Sequence, residues 1–318
     1  MKSLNTFSKG FNALLFLCLF TVSAFGQRAV TSITATYQDL DDNSGDYSVN
    51  GTGSSDYASG TMFNLSFSST ATASNNLILD YITVGGVNYY LSFEVATPIF
   101  RRADNGVWSG DVEFLFHEIN SSVGSDVDFK PSFATDMETA LNSSIVNRGT
   151  DNVFVNNDGG NGNNIERMDY VFSTGVAPGT ATNQGFVLFE RNGNDNLRIA
   201  AILSVDGSNN PTSFGTLVPI TSGASNWGGS AYSLATTTFR DIDNSAAIDL
   251  RPHEDIPAQT LKACWVTCDD LGVADGQTFY GYSLFAFDTP AGTASSNLLD
   301  WTNTTYFPTN TASGDGGS

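Results

Sequence analysis

Acids spaced two apart are the residues in this chain best placed to do chemistry. Asp39, Asp41, Asn43 and Asp46 lie in Asp39-Leu40-Asp41-Asp42-Asn43-Ser44-Gly45-Asp46, where oxygen donors fall at alternate positions as a calcium loop requires. The match to an EF-hand loop is partial. Its glycine comes one position late, no bidentate Glu follows at the right distance, and no helices flank it. An ordinary acidic turn is the other reading. Asp241 and Asp243, in Asp241-Ile242-Asp243-Asn244-Ser245, repeat the theme without a supporting Glu. Calcium is thus the cofactor to which these residues point. Asp158-Gly159-Gly160-Asn161-Gly162-Asn163-Asn164 approaches a calcium-binding glycine nonapeptide, but Asn164 stands where the key Asp belongs and no second copy follows, so it reads as a turn.

Hydrolytic chemistry needs either a nucleophile with a base or two carboxylates across a groove. His117 and His253 are the chain's two histidines, and neither sits in a nucleophile-elbow or papain-like context. Glu94, Glu113, Glu166 and Glu190 fall on strand-like segments, where carboxylates on adjacent strands could cleave a glycoside. No single strand carries a paired signature. Phosphate loops and dinucleotide fingerprints are absent. Non-covalent binding has better candidates: Trp108, Trp227, Trp301 and exposed Tyr side chains could stack on sugar rings beside Asn and Asp. Packing in the core is the competing role for each Trp.

These groups must be positioned by strands. Gly185 to Arg191 is apolar on both alternating faces, Phe186 and Leu188 on one and Val187 and Phe189 on the other, so it reads as a central strand covered on both sides. Asn192 to Asn196 is turn-forming, and Leu197, Ile199, Ala201, Leu203 and Val205 then share a face; the two runs read as a β-hairpin at the heart of a sandwich. A second hairpin is signalled by Gly85-Gly86 between Leu77–Val84 and Val87–Val95. A two-residue turn there sets Val84 opposite Val87, Ile82 opposite Tyr89, Asp80 opposite Leu91 and Ile78 opposite Phe93. Asp80 is then an acid on an apolar face, either hydrated at the sheet end or bonded inside. Further strands are read at 33–37, 63–67, 112–117, 165–172, 213–220, 231–239, 260–266 and 278–287. One short helix is expected at 135–144, where Thr135-Asp136-Met137-Glu138 forms a capping box.

Composition bounds the rest. Lys2 and Lys9 precede an apolar run, Ala13 to Phe20, too short to span a bilayer, and small residues at Ala24 and Gly26 place cleavage before Gln27: a signal peptide over 1–26. Its loss removes two lysines and no acid, so the exported chain is still more negative than the −20 of the whole. That charge repels polyphosphates and anionic lipid, which argues against nucleic acid as partner and against membrane insertion after cleavage. With 14% charged residues and abundant Gly, Ser, Thr and Asn, the chain suits many short strands. Cys264 and Cys268 lie four residues apart, roughly 13 Å in an extended strand, so a disulfide needs a tight turn between them. Export permits such a bond; the spacing resists it, and the pairing stays open.

The runs Asn163–Phe172, Gln184–Leu203, Asp270–Pro290 and Asn297–Thr311 resemble the amino-terminal β-rich module of large exported cell-surface proteins of Bacteroidetes-type bacteria. The resemblance implies a module placed ahead of repeat arrays and a carboxy-terminal sorting domain, and brings no catalytic residue with it. Here the chain ends in a linker-like stretch, Ala312 to Ser318. The expectation is an all-β antiparallel sandwich of jelly-roll type, one domain over 27–308 with a Gly/Ser-rich tail over 309–318. Its expected role is a secreted or cell-surface adhesion or structural module without catalysis, meeting extracellular glycans or other surface proteins. A carbohydrate-binding domain is the alternative, and a jelly-roll glycoside hydrolase the more distant one.

Overall fold

The computed structural model describes residues 28–38, 47–52, 62–67, 76–92, 96–103, 113–119, 145–150, 153–156, 163–229, 232–241 and 251–312. Its strands in chain order begin with β1 (Arg28–Ala29), β2 (Ser32–Gln38), β3 (Tyr47–Thr52), β4 (Met62–Phe67), β5 (Asn76–Val84) and β6 (Val87–Tyr90). They continue with β7 (Ala96–Arg102), β8 (Glu113–Ile119), β9 (Arg148–Thr150), β10 (Ile165–Val176), β11 (Gly185–Arg191) and β12 (Leu197–Val205). Last come β13 (Pro211–Phe214), β14 (Val218–Ile220), β15 (Ser233–Asp241), β16 (Arg251–Thr267) and β17 (Phe279–Ala286). Two short 3-10 turns, Ala181–Asn183 and Ser295–Leu298, are the helical elements among the described residues. The chain is all-β, and every strand pairing among the described residues is antiparallel. The helix expected at 135–144 and the signal peptide lie outside the described residues.

Two six-stranded sheets face each other, one ordered β1-β16-β15-β8-β9 with β11 also on β16, the other β13-β12-β17-β10-β7 with β14 also on β12. Period-two patterning builds the layers. On β16, Cys264 and Val266 point into a core shared with Leu188 of β11, Ile199 and Ala201 of β12, Met168 of β10 and Leu284 of β17. Their neighbours Leu261, Ala263 and Trp265 turn the other way, onto Ile33, Leu77, Leu79, Ile82 and Val84 of a three-stranded sheet, β2-β5-β6. The opposite face of the second sheet offers Val171, Ala200, Ile202 and Phe285 to Leu298 and Phe307 of the C-terminal segment. Each Val, Leu, Ile, Met or Phe among them contributes on the order of 1.5–3 kcal/mol by leaving water. The strand read as central is covered on both faces, Phe186 and Leu188 serving one core and Val187 and Phe189 the other, but it lies at a sheet edge, with β16 its one partner among the described strands.

The expected hairpin of β11 with β12 is not formed. β11 pairs with β16, Gly185 opposite Thr267 through Arg191 opposite Leu261, whereas β12 pairs with β17, Leu197 opposite Ala286 through Ala201 opposite Tyr282. Residues 192–196 thus form an arch that carries the chain from one sheet to the other. Asn192 at φ 74° and Gly193 at φ 66° supply the left-handed backbone. A side chain on Gly193 would strike Trp227 Cβ at 2.7 Å. An arch satisfies the same turn chemistry as a hairpin, and burial of both strands on both faces is better met by long partners from later in the chain.

Candidate functional site

Among the described residues, the large apolar side chains exposed to solvent are Val87, Tyr90 and Leu91, all on or beside β6. The Gly85-Gly86 turn, at φ 57° and 83°, fixes their register. Val84 opposite Val87 and Ile82 opposite Tyr89 form as expected, joined by Thr83 opposite Asn88 and Tyr81 opposite Tyr90. The expected pairing of Asp80 with Leu91 does not, because β6 stops at Tyr90; Phe93 lies outside the described residues. Asp80 is also not on the apolar face. Between Thr34–Tyr81 and Ala35–Leu79 the β2–β5 register skips one residue, Asp80, and this bulge lets Leu77, Leu79, Ile82 and Val84 all face inward. The carboxylate is left in solvent, accepting a hydrogen bond from Thr36 Oγ1 at 2.7 Å.

The outward face so created carries Tyr81 and Tyr90, whose ring centroids lie 5.3 Å apart at 49°. Beside them Thr83 Oγ1 donates to Asn88 Oδ1 at 2.9 Å, and Thr34 follows across the sheet. Tyr90 is 69% exposed. Beneath, Tyr89 packs on Trp265 at 4.7 Å, and the Tyr232 hydroxyl bonds both the N–H and the carbonyl of Ala35, so the sheet is fixed to the layer below. Aromatic rings that are half wet, held on a rigid sheet and flanked by hydroxyl and amide groups can stack on a sugar or a partner's apolar side chain. The pair is tilted, so it forms a shallow V and not a flat platform. The glycine-turn register was the signal that could have singled out Tyr81 and Tyr90.

The tryptophans expected to stack on ligands are placed otherwise. Trp227 is 2% exposed and sits in the main core against the arch, which removes it as an exposed platform. Its loop is rich in Gly, Ser and Asn and reads as surface, but Gly193 makes room for the indole. Trp301 is half-buried: its indole N–H donates to the Arg102 carbonyl at 2.9 Å, with the guanidiniums of Arg101 and Arg167 at 4.9 and 5.0 Å from its ring. That role is packing of the C-terminal segment. Trp108 lies outside the described residues, as do Asp39, Asp41, Asn43, Asp46 and Asp243. Asp241 ends β15 opposite Glu113. Among the described residues no group of three or more His, Cys, Asp or Glu side chains is arranged to hold a metal.

Two of the strand carboxylates, Glu166 and Glu190, are drawn into the interior, and the side chain of Glu113 lies outside the described ones. Glu190 is buried and accepts from the Asn194 N–H in the arch at 3.2 Å. Glu166 is buried beneath residues 308–311, where burial first and Asp288 second push its carboxyl up to about 8, against a hydrogen bond from Asn156. A general acid could have such a value, but this one is covered by chain. Glu94 lies outside the described residues. The buried acid that sequence reading missed is Asp169, fully buried on β10. Arg101 Nε and Arg167 Nε each reach it at 2.7 Å and Ser283 Oγ at 2.6 Å. Burial alone would raise this carboxyl; the two guanidiniums and the Ser283 hydroxyl outweigh it and hold it below the ordinary range.

Cys264 and Cys268 are both buried free thiols. Cys264 lies in β16 and Cys268 just past its end, so the extended spacing prevails over the bond. Burial pushes Cys264 up to about 12, helped by Asp270, and Cys268 up to about 11. Such thiols are poor nucleophiles. Titration of the leaderless chain with a thiol reagent at pH 8 should find neither reactive when folded and both reactive in denaturant; rapid labelling of either in the folded protein would contradict the burial.

No helix among the described residues is long and apolar enough to cross a membrane. Comparison with known proteins returned no matching family model, no matching characterised protein and no matching solved structure.

Proposed function

We propose that this chain is an exported, non-catalytic module of adhesion or structural type, which meets its partner through the outward face of β2, β5 and β6. One observation carries the reading: Tyr81 and Tyr90 are presented on a braced sheet beside Thr83 and Asn88, while Glu166, Asp169, Glu190, Cys264 and Cys268 are buried in structural roles. Export rests on the leader at 1–26. Calcium enters this proposal from the sequence alone, at Asp39, Asp41, Asn43, Asp46, Asp241 and Asp243.

The second reading is a carbohydrate-binding domain. It is favoured by the same aromatic pair, since a hydroxyl-lined V of two tyrosines suits one face of a sugar ring. A jelly-roll glycoside hydrolase is the more distant reading; Glu166 has a value suited to a general acid, but it is buried.

The test is a glycan array probed in calcium and in chelator, alongside adherence of protein-coated beads to mucin and extracellular-matrix surfaces. Tyr90→Ala should reduce binding about tenfold, the ~1.4 kcal/mol expected of one hot-spot tyrosine, without loss of fold. Silence of the array in both arms counts against the glycan reading. Bead adherence unchanged by Tyr81→Ala and Tyr90→Ala together would remove the face itself.

A further inference from the structure

The edges of the β2-β5-β6 sheet differ. At β2 the Tyr232 hydroxyl accepts from the Ala35 N–H at 2.9 Å and donates to the Ala35 carbonyl at 2.7 Å, so the main chain there already has a partner. β6 has β5 as its one partner among the described strands. In a two-residue hairpin the residues flanking the turn exchange both main-chain bonds, and hydrogen-bonded and non-bonded pairs then alternate. Val87 and Tyr89 are therefore engaged with Val84 and Ile82, while Asn88 and Tyr90 aim their N–H and carbonyl groups away from β5. Gly85 to Ser92 is exposed throughout except at Tyr89, which is half-buried.

This open edge is uncharged. From Tyr81 to Ser92 the chain carries no Asp, Glu, Lys or Arg and no Pro, in a protein of net charge −20. Sheet edges are ordinarily kept apart by lysines, prolines or bulges, and β6 has none of these. Its sequence also matches its own reverse. An antiparallel copy that sets Asn88 opposite the partner's Tyr90, and Tyr90 opposite the partner's Asn88, makes both of these hydrogen-bonded pairs, each exchanging both main-chain bonds. The same register sets Val87 opposite the partner's Leu91 and Leu91 opposite the partner's Val87. These side chains are 53% and 43% exposed, and with Tyr90 they are the exposed large apolar ones among the described residues. A shift of one residue breaks the bonds, and a shift of two separates Val87 from Leu91.

We infer that a second copy of this chain is the partner of the β6 edge: β6 joins its two-fold mate antiparallel, Asn88 against the partner's Tyr90, and the two three-stranded sheets become one. The symmetry closes. With Ala35 held by Tyr232, the main chain of β2 is blocked against the head-to-tail addition that would build a filament, so pairing stops at two copies. The contact uses the edge of β6 and leaves its outward face open, so Tyr81 and Tyr90 are presented twice on one continuous surface. The pairing is independent of what that tyrosine face binds.

Cysteine cross-linking reads both the contact and its register. Positions 87 and 91 of one chain are roughly 13 Å apart in extended strand, beyond disulfide reach, and Cys264 and Cys268 are buried. Under mild oxidation a mixture of the Val87→Cys and Leu91→Cys proteins should give covalent dimers containing one of each, whereas neither protein alone should bridge. Sedimentation of the wild type should show a dimer by about 100 μM, the weak end of specific association. Val87→Lys sets a charge in the seam and should weaken the dimer at least about tenfold. Asn88→Pro deletes one outward N–H and no bond to β5, and should do the same. An unchanged β-sheet circular-dichroism spectrum shows that both variants fold. Added salt should strengthen the dimer by screening the repulsion of two acidic copies. A wild type that stays monomeric would overturn the inference and leave the edge to a strand of another protein. Cross-links that favour like positions, or a dimer untouched by both Val87→Lys and Asn88→Pro, would overturn it too. The glycan array and bead assays remain readable in a monomer, so this inference and the tyrosine-face reading fail separately.

Discussion

Asp169→Ala should cost about 3–5 kcal/mol, the usual penalty for removing one partner of a buried ion pair. Asp169 has no exposed side-chain surface, and the Arg167 side chain is 1% exposed, so the substitution strands a guanidinium that water cannot reach. Arg167 would keep its bond to the Leu298 carbonyl, and Arg101 its bond to Asn210 at 3.0 Å, but their charges would lose their counterion. The damage should spread to the C-terminal segment. Both arginines face Trp301, and Arg167 also lies 5.2 Å from the Phe214 ring, so their rearrangement unseats the indole. Urea denaturation followed by tryptophan emission reads both effects. The sign with pH is fixed: a carboxyl held below its ordinary 3.8 stabilises the fold fully above that value and loses the contribution as pH falls from there through its lower folded-state value. The gap between wild type and variant should therefore shrink in strong acid. A loss under about 1 kcal/mol at neutral pH would mean that the two guanidiniums are not stranded, having found water or other acceptors once Asp169 is gone.

That cluster also marks how far the sequence could be read. Arg167 and Asp169 alternate within Ile165–Phe172 and so share a face of β10, a signal visible in the chain. What could not be seen is that Arg101, from β7, completes the pair; in the sequence Arg101-Arg102 is no more than a small basic pair beside Trp108. Its partner comes from register, Arg167 opposite Arg101, which depends on pairings made across the whole fold. The same division holds elsewhere. Local turn chemistry gave the Gly85-Gly86 register correctly over Val84–Val87 and Ile82–Tyr89, since a two-residue loop leaves no choice. The Asn192-Gly193 turn left a choice between hairpin and arch, and the decision rested on β16 and β17, some seventy or more residues onward.

The candidate site follows the same rule. Tyr81 and Tyr90 fall on one face by strict alternation from the turn, and their exposure needed only the correct assignment of the buried face. Asp80 obscured it, because a bulge adds one residue and reverses the alternation without a glycine or proline to announce it. Trp227 was hidden for the opposite reason: its loop has surface composition, while the space it fills is created by a glycine in a distant arch. Strand order across the two sheets was not legible at all, since alternating apolar residues specify a face and not a neighbour.

Gly281→Ala should be the most damaging methyl addition at any described glycine, at about 3–5 kcal/mol. Two penalties combine there. Gly281 sits at φ 113°, where side-chain-bearing residues are strained by about 1–3 kcal/mol. A methyl at this position would also lie 1.9 Å from the Tyr170 carbonyl oxygen and 3.1 Å from its carbon. Those are backbone atoms of the neighbouring strand, so no rotamer change relieves the clash, and overpacking adds about 1–3 kcal/mol. Relief requires β17 to move off β10 where Val171 faces Gly281, beside the irregularity that follows Val171 and beside the Tyr170–Tyr282 stack at 4.8 Å. Gly86→Ala isolates the backbone share, because at φ 83° its methyl would meet nothing within 4 Å. That control should lose about 1–2 kcal/mol, the left-handed penalty alone. Denaturant midpoints for the two variants decide the matter: a Gly281→Ala loss no greater than that of Gly86→Ala would mean that β17 is not locked against β10 at this point, and that the second sheet is looser there than its register implies.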